Sequence, residues 1–86
     1  MFYTYILQSD KDAELYVGST NDLKRRLLEH NQGKVHSTKS RVPFELVYYE
    51  AYRAEEDARE REHQLKLRGQ ARAQLKRRIA RSLLPD

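Results

Sequence analysis

The first twenty residues contain two short segments rich in aromatic and β-branched residues, separated by a polar turn. The first segment spans 2–7, turn-forming residues occupy 9–12, and the second segment spans 15–19. This pattern is typical of a β-hairpin. A hairpin needs further strands and helices to become stable, so it predicts a sheet covered by the rest of the chain.

The rest of the chain predicts three helices and one more strand. The expected elements are a helix over 21–32 capped by Thr20 or Asn21, a polar basic loop over 32–43, a strand over 44–49, a helix over 54–67 broken by Arg68 and Gly69, and a helix carrying Ala71, Leu75, Ile79 and Leu83 that ends before Pro85. The order is β-β-α-β-α-α. The predicted fold class is therefore α/β (α+β), with a three-stranded, largely antiparallel sheet flanked by helices.

Length and composition limit what this fold can do. Eighty-six residues suit one domain over 1–86. No cysteine is present, which excludes disulfides and thiolate chemistry, and the histidines at 30, 36 and 63 lack the spacing of metal ligands. No apolar run approaches the length of a membrane span, and the N-terminus lacks the pattern of a signal peptide. We therefore expect a cytoplasmic protein without a membrane partner.

The charge is basic and unevenly distributed. The net charge is +4, and residues 66–81 contain seven bases and no acid. This distribution favours a polyanionic partner, although a solvated helix face biased by the helix dipole is an equal alternative. The candidate phosphate contacts are Lys66, Lys76, Arg77 and Arg78 in this segment and Lys34, Lys39 and Arg41 in the predicted loop.

The first predicted helix places two polar side chains on its apolar face. At 100° per residue, Arg26 and His30 lie on the same side as Leu23 and Leu27. A charged side chain there needs a partner, because an unpaired buried charge costs several kcal/mol. For Arg26 alone, the favoured interpretation is a snorkelling stem or an internal salt bridge. For His30 alone, it is a hydrogen-bonded core histidine.

The second predicted helix leaves a choice between two residues. Arg61 falls within the inward stripe and Glu62 lies about 60° from its centre, so helix geometry alone does not decide which one is functional. The structural alternative for Glu62 is an i, i+4 surface pair with Lys66, worth about 0.2–0.5 kcal/mol.

The predicted hairpin carries tyrosines and a glycine. Tyr3 and Tyr5 share one face of the first strand, and Tyr16 lies on its partner. Half-buried packing is the ordinary role of such tyrosines. Gly18, near the end of the second strand, indicates a bulge or a close approach of another group.

Together these residues resemble the GIY-YIG nuclease family, and most closely its small stand-alone bacterial members. The matching segments are Tyr3-Thr4-Tyr5-Ile6-Leu7, then Tyr16-Val17-Gly18-Ser19-Thr20-Asn21-Asp22-Leu23-Lys24-Arg25-Arg26-Leu27-Leu28-Glu29-His30-Asn31, and Arg61-Glu62-His63-Gln64-Leu65-Lys66. The first signature departs from the family pattern, since it keeps its tyrosine but loses the leading glycine and isoleucine. The resemblance implies one catalytic site made of Tyr5, Tyr16, Arg26, His30 and Glu62, with Gly18 structural in the motif.

The chemistry that the resemblance implies is metal-dependent endonucleolytic hydrolysis of phosphodiester bonds. Glu62 would hold Mg²⁺ or Mn²⁺, Arg26 would grip the scissile phosphate, Tyr5 or Tyr16 would act as base, and His30 would orient substrate or tyrosine. The expected partner is DNA, with RNA as an alternative, and a protein partner could supply specificity. A structure-specific role in DNA repair or recombination is the finer expectation. The competing hypotheses are a catalytically weak nucleic-acid-binding module and an accessory subunit active only within a complex.

Overall fold

The computed structural model describes residues 1–67 and 69–84. Its elements are the strands β1 (Phe2–Ser9), β2 (Leu15–Thr20) and β3 (Phe44–Tyr52) and the helices α1 (Leu23–Asn31), α2 (Glu55–Lys66) and α3 (Gln70–Arg78), with short 3₁₀ turns at Lys39–Arg41 and Ala80–Ser82. The predicted order β-β-α-β-α-α and the predicted fold class are confirmed. Arg68 and Pro85, named above as helix ends, lie outside the described residues.

The three strands form one antiparallel sheet with β1 at its centre, in the order β2-β1-β3. Tyr5 on β1 faces Gly18 on β2 and Tyr49 on β3. The pairing of β1 with β3 shifts by one residue between Ile6 and Leu7, which leaves an extra residue on β3. The hairpin that the sequence predicts is therefore the core of the sheet.

Helices cover both faces of the sheet. Side chains alternate between the two faces along each strand, so each face presents apolar residues for a helix to cover. On one face, Ile6 and Val17 pack with Leu65 of α2 and Leu75 of α3. On the other face, Tyr5, Leu7 and Phe44 are buried, and partly buried side chains of α1 pack against them. In the described part of the chain, no helix is long and apolar enough to cross a membrane.

Four predicted boundaries differ from the structure by two residues or more. Strand β1 continues to Ser9, two residues beyond the predicted segment. The cap of α1 is Asp22, whose carboxylate accepts a hydrogen bond of 3.0 Å from the Arg25 N–H, rather than Thr20 or Asn21. Strand β3 continues to Tyr52 because residues 50–52 pair with β1. The last helix ends at Arg78 instead of reaching Leu83. Beyond it the Leu84 N–H, which in a continued helix would donate to the carbonyl of residue 80, donates instead to the amide oxygen of Gln8 at 2.7 Å.

Gly18 leaves the space that the side chain of Tyr5 occupies. A β-carbon at Gly18 would lie 2.5 Å from Tyr5 Oη and 2.6 Å from Tyr5 Cζ. The phenol ring has no room to move away, since Tyr5 is only 2% exposed and is hydrogen-bonded at its far end. The close approach expected at Gly18 is thus explained by one neighbouring side chain.

We predict that Gly18→Ala lowers the free energy of unfolding by about 1–3 kcal/mol, because the added methyl group overpacks the site. Gly69→Ala is the control, since a β-carbon at Gly69 would meet nothing within 4 Å and should cost under about 1 kcal/mol. Urea denaturation of both variants measures the difference. Equal stabilities would contradict the packing of Tyr5 on Gly18.

Candidate active site

His30 lies at the centre of the candidate site. It is completely buried, and its ring packs edge-on against three aromatic rings, with centroid distances of 6.0 Å to Tyr5, 5.0 Å to Tyr16 and 5.9 Å to Phe44. The side of α1 that faces the sheet therefore carries a histidine, which packs among aromatic side chains of the three strands. The prediction that His30 points inward with Leu23 and Leu27 is confirmed.

Both ring nitrogens of His30 have partners. Nε2 is joined to Tyr5 Oη by a hydrogen bond of 3.0 Å, and Nδ1 is joined to Thr38 Oγ1 by one of 2.8 Å. Burial, followed by the charge of Arg26, lowers the pKa of His30 from 6.5 to about 4. The imidazole is therefore neutral at pH 7.

Arg26 lies at the edge of this cluster, with its side chain 35% exposed. Its guanidinium donates to Glu29 Oε1 at 3.2 Å, which is the salt bridge expected as the structural role of this arginine. Burial lowers the pKa of Arg26, but its interactions with Tyr5 and Glu29 outweigh burial, and the net shift is upward. The group therefore stays charged beside a cavity of about 320 Å³ that Ser19 and Arg25 also line.

The two candidate tyrosines differ in their surroundings. Burial raises the pKa of Tyr5 to about 12, although the neighbouring Arg26 opposes this shift. Tyr5 is therefore a neutral phenol at any pH near 7. Tyr16 is only partly buried, and its ring centroid lies 6.3 Å from that of Tyr5. Tyr16 is therefore the more accessible of the two tyrosines.

Glu62 lies on the opposite face of the sheet from His30, where it is held against the edge strand β2. Its Oε1 accepts a hydrogen bond of 2.7 Å from Ser19 Oγ, and its Oε2 lies 2.8 Å from Lys66 Nζ. The carboxylate is 19% exposed, whereas the lysine side chain is 52% exposed. The i, i+4 pair with Lys66 that was the structural alternative for Glu62 is therefore present, together with a second contact to β2.

Arg61, the other candidate on α2, has a structural partner. Its Nε donates to both carboxylate oxygens of Glu50 on β3, at 3.0 and 3.2 Å, and the hydroxyls of Tyr48 and Tyr52 donate to the same carboxylate. Burial raises the pKa of Glu50, but these hydrogen bonds outweigh it and the net shift is downward. This cluster fixes α2 against β3.

The donor set at Glu62 suits a divalent cation of the magnesium type. In the described residues no group of three or more histidine, cysteine, aspartate and glutamate side chains could form a complete protein cage. Mg²⁺ usually keeps several waters and takes one or two carboxylates plus substrate phosphate. The ammonium of Lys66 already occupies a position in which a cation contacts Glu62, and an i, i+4 pair on a helix is worth only about 0.2–0.5 kcal/mol. The residues therefore fit such an ion.

The predicted phosphate-binding residues are divided between three places. Lys34 and Lys39 are exposed in the loop after α1, and Lys76, Arg77 and Arg78 are exposed on α3. Lys66 is paired with Glu62. Arg41 is partly buried, pairs with Asp12 at 3.0 Å and lies over the ring of Phe44. The structure therefore leaves the loop lysines and the α3 bases facing solvent, whereas Arg41 is occupied within the fold.

The sequence did not predict two residues that contact the candidate site. Ser19 adjoins Gly18 in the motif and is the side chain that joins β2 to Glu62. Thr38 lies in a polar loop and hydrogen-bonds His30. Ser19 could have been found by its place in the motif beside Tyr16 and Gly18. Nothing in the composition of the loop singles out Thr38.

Comparison with known proteins assigns a family to this chain. The GIY-YIG catalytic domain matches residues 1–80, a range that contains every candidate residue in the cluster around His30 and Glu62. The chain belongs to the GIY-YIG family, as the sequence resemblance indicated. This is a nuclease superfamily whose members generally depend on a divalent metal.

Individual relatives carry the same designation. The chain is 42% identical over 65 residues to a UPF0213 protein of Bacillus pumilus, which covers 74% of this chain and 65% of that protein. It is 42% identical over 67 residues to a UPF0213 protein of Clostridium perfringens, covering 77% and 71% of the two chains. The solution NMR structure of a UPF0213 protein from Bacillus halodurans is similar, with a TM-score of 0.54 and 37% identity over 87% of this chain and 82% of that one. These names state no activity.

The buried neutral histidine predicts a specific sensitivity to acid. Since the folded pKa of His30 is lowered from 6.5 to about 4, the unfolded chain binds its proton first as the pH falls. The stability that His30 contributes is therefore complete above pH 6.5 and is lost between about pH 6.5 and 4. The loss should be on the order of 2–3 kcal/mol.

The measurement is urea denaturation across this pH window for the wild type and for His30→Gln, which has no titrating ring. We expect the variant to be less stable at pH 7 but to lose less stability on acidification. His36→Gln, at an exposed position, is the control and should follow the wild-type curve. Parallel curves for all three proteins would contradict a buried neutral His30.

Proposed function

We propose that this protein is a metal-dependent endonuclease that hydrolyses phosphodiester bonds in DNA. The observation that carries the proposal is that an arginine, two tyrosines and a histidine lie together on one face of the sheet, with a carboxylate held by β2 on the other face, in a chain of a nuclease family. A structure-specific role in DNA repair or recombination is the finer part of the proposal. RNA as substrate is the alternative that the same chemistry allows.

Arg26 is proposed to bind the scissile phosphate. Its guanidinium is charged, partly exposed and adjacent to a cavity, and a planar fork of donors can contact two phosphate oxygens. The contact strengthens as negative charge accumulates on the phosphorus oxygens in the transition state. The existing pair with Glu29 is exposed enough to exchange for a phosphate at small cost.

Tyr16 is proposed as the group that accepts the proton of the attacking water. Tyr5 suits this role poorly, because its hydroxyl is buried and its pKa is raised to about 12. Tyr16 is partly exposed, and both Arg26 and Lys66 interact electrostatically with it. Tyr16 would act as base in its phenolate form, which becomes neutral when it takes the proton from water, and the negative charge of that form would lie near two cations.

Glu62 is proposed as the ligand of Mg²⁺ or Mn²⁺. When bound, such an ion supplies positive charge beside the leaving oxygen. Ser19 holds one carboxylate oxygen by donating a hydrogen bond, and Lys66 would release the other. Tyr5 and His30 are proposed to maintain the shape of the site, since both are buried and hydrogen-bonded to each other.

We predict that Glu62→Gln abolishes metal-dependent cleavage, with a loss on the order of 100- to 1,000-fold in rate. Glutamine can still accept the Ser19 hydrogen bond but brings no charge to a cation. Single-turnover cleavage of labelled DNA in Mg²⁺ measures the effect. Glu60→Gln, an exposed neighbour on the same helix, is the matched control that should cleave normally. Wild-type rates in Glu62→Gln would remove this carboxylate from the mechanism.

We also predict that Arg26→Lys is nearly as damaging as Arg26→Ala, because an ammonium cannot replace a two-pronged contact. The loss expected for either variant is on the order of 100-fold or more in the single-turnover rate at saturating protein. Lys24→Ala, exposed elsewhere on α1, serves as the control. An Arg26→Lys protein that keeps most of its activity would show that only the charge matters at this position.

The basic surface of α3 is proposed to contact the DNA backbone. Reversing Lys76, Arg77 and Arg78 to glutamate should weaken binding to all sequences alike and flatten the dependence of log affinity on log salt by about 0.9 per lost phosphate contact. Fluorescence anisotropy at several salt concentrations gives this slope. An unchanged slope in the triple variant would move the contact to the loop bearing Lys34, Lys39 and Arg41.

A further inference from the structure

The loop between α1 and β3 contains one buried side chain. Across residues 32–43, which are all described, Thr38 alone is fully buried, whereas Ser37 and Lys39 beside it are exposed. The Thr38 N–H donates to the Val35 carbonyl at 3.1 Å, and the Thr38 carbonyl accepts from the Arg41 N–H at 2.9 Å. The chain is thus folded so that one hydroxyl group points into the protein.

The loop is also closed at its base. The side chain of Asn31, the last residue of α1, binds the backbone of Phe44, the first residue of β3, through hydrogen bonds of 2.7 and 3.0 Å. These two bonds bring the ends of the loop together. The position of Thr38 against His30 is therefore supported from both sides of the loop.

The hydroxyl group of Thr38 ends a short buried chain of hydrogen bonds. Thr38 Oγ1 lies 2.8 Å from His30 Nδ1, and His30 Nε2 lies 3.0 Å from Tyr5 Oη. The Thr38 hydroxyl also points to the Val35 carbonyl at 3.5 Å. Each group in this chain is fully or almost fully removed from solvent, so each hydrogen needs an acceptor within the protein.

The donors and acceptors available decide which atom donates in each of these hydrogen bonds. The hydroxyl hydrogen of Tyr5 needs an acceptor, and Arg26 beside it can only donate. Among the described residues, His30 Nε2 is the one acceptor within hydrogen-bond distance of Tyr5 Oη. Nε2 must then be unprotonated, so the neutral ring carries its hydrogen on Nδ1 and donates to Thr38. The opposite direction would leave the Tyr5 hydrogen without a partner.

We propose that Thr38 is a positioning residue that accepts the Nδ1 hydrogen of His30 and so stabilises the tautomer in which Tyr5 donates to Nε2. With its hydrogen committed to His30, the Tyr5 oxygen keeps its lone pairs for Arg26, and the guanidinium is oriented by a fixed acceptor. The effect on catalysis rests on the proposed hydrolysis, whereas the stabilisation of the tautomer does not.

The test is ¹⁵N NMR of the His30 ring in the free protein at pH 7. In the wild type and in Thr38→Ser, which keeps the hydroxyl, we expect the hydrogen on Nδ1. In Thr38→Val, which keeps the shape but offers no acceptor, either the Nδ1 hydrogen or the Tyr5 hydrogen is left unpaired, so we expect a mixture of the two tautomers with a clear gain of the ring protonated on Nε2. A tautomer ratio in Thr38→Val equal to that of the wild type would overturn the proposal, as would a ring protonated mainly on Nε2 in the wild type.

The matched control is Thr4→Val. Thr4 is a second buried threonine, and its hydroxyl donates to the Ala58 carbonyl at 2.7 Å, away from His30. This variant loses a comparable hydrogen bond, so it should be destabilised to a similar degree while the His30 ring signals stay as in the wild type. If Thr38→Val does not fold, Thr38→Ala takes its place with the same expected change and the same contradicting result.

Single-turnover cleavage separates this proposal from the proposed function. We expect Thr38→Val to cleave at least tenfold more slowly than the wild type with unchanged affinity for DNA, and Thr38→Ser to retain most of the rate. Equal rates in Thr38→Val and the wild type would reject the positioning role even if the enzyme is active. If the wild type itself does not cleave, the proposed function fails, and the NMR result still decides which tautomer Thr38 stabilises.

Discussion

The side chain of Tyr5 reaches the centre of the molecule because Gly18, its partner on β2, has no side chain to block it. From that position its hydroxyl meets His30 on α1, so one contact joins β1, β2 and the helix that covers them. The same contact places Arg26 and Tyr16 at the border of the buried cluster. A small sheet of three strands gains from this interaction both its packing on one face and the arrangement of its polar groups.

The second half of the site depends on contacts made from the other face of the sheet. Ser19 lies next to Gly18 on β2 but points to α2, where it binds Glu62. The register of α2 is fixed independently by the Arg61–Glu50 pair. Neighbouring residues of one strand thus hold the aromatic cluster on one face and the carboxylate on the other. The functional groups meet around the edge of β2, which no other strand of the described chain covers.

The sequence predicted much of this arrangement and missed identifiable parts. Helix periodicity was sufficient to place Arg26 and His30 toward the core, and hairpin signals were sufficient for the sheet. Periodicity could not choose between Arg61 and Glu62, because their different partners, Glu50 and Ser19, come from strands distant in sequence. Family resemblance favoured Glu62, and the contacts of Arg61 give that residue a structural role.

The remaining misses have the same physical origin. Thr38 looks like any polar loop residue until the fold brings its hydroxyl to a histidine eight positions earlier. The last helix was predicted too long: it ends at Arg78, and the backbone of Leu84 beyond it binds Gln8, a residue 76 positions away from Leu84 in sequence. Arg41 was counted among surface bases, yet its partners Asp12 and Phe44 become neighbours only in three dimensions. Local patterns give the elements, whereas contacts between distant segments determine where they end and which polar groups they bind.

These groups are proposed to hydrolyse a phosphodiester bond with the help of a divalent ion. Purified protein should be incubated with labelled duplex, flap, branched and single-stranded DNA, and with RNA of matching sequence, in Mg²⁺, in Mn²⁺ and in EDTA. Cleavage of at least one DNA substrate in Mg²⁺ or Mn²⁺, with none in EDTA, is the predicted result. Binding of these nucleic acids without cleavage under any of the conditions would contradict this proposal and make the protein a binding module that retains the nuclease fold.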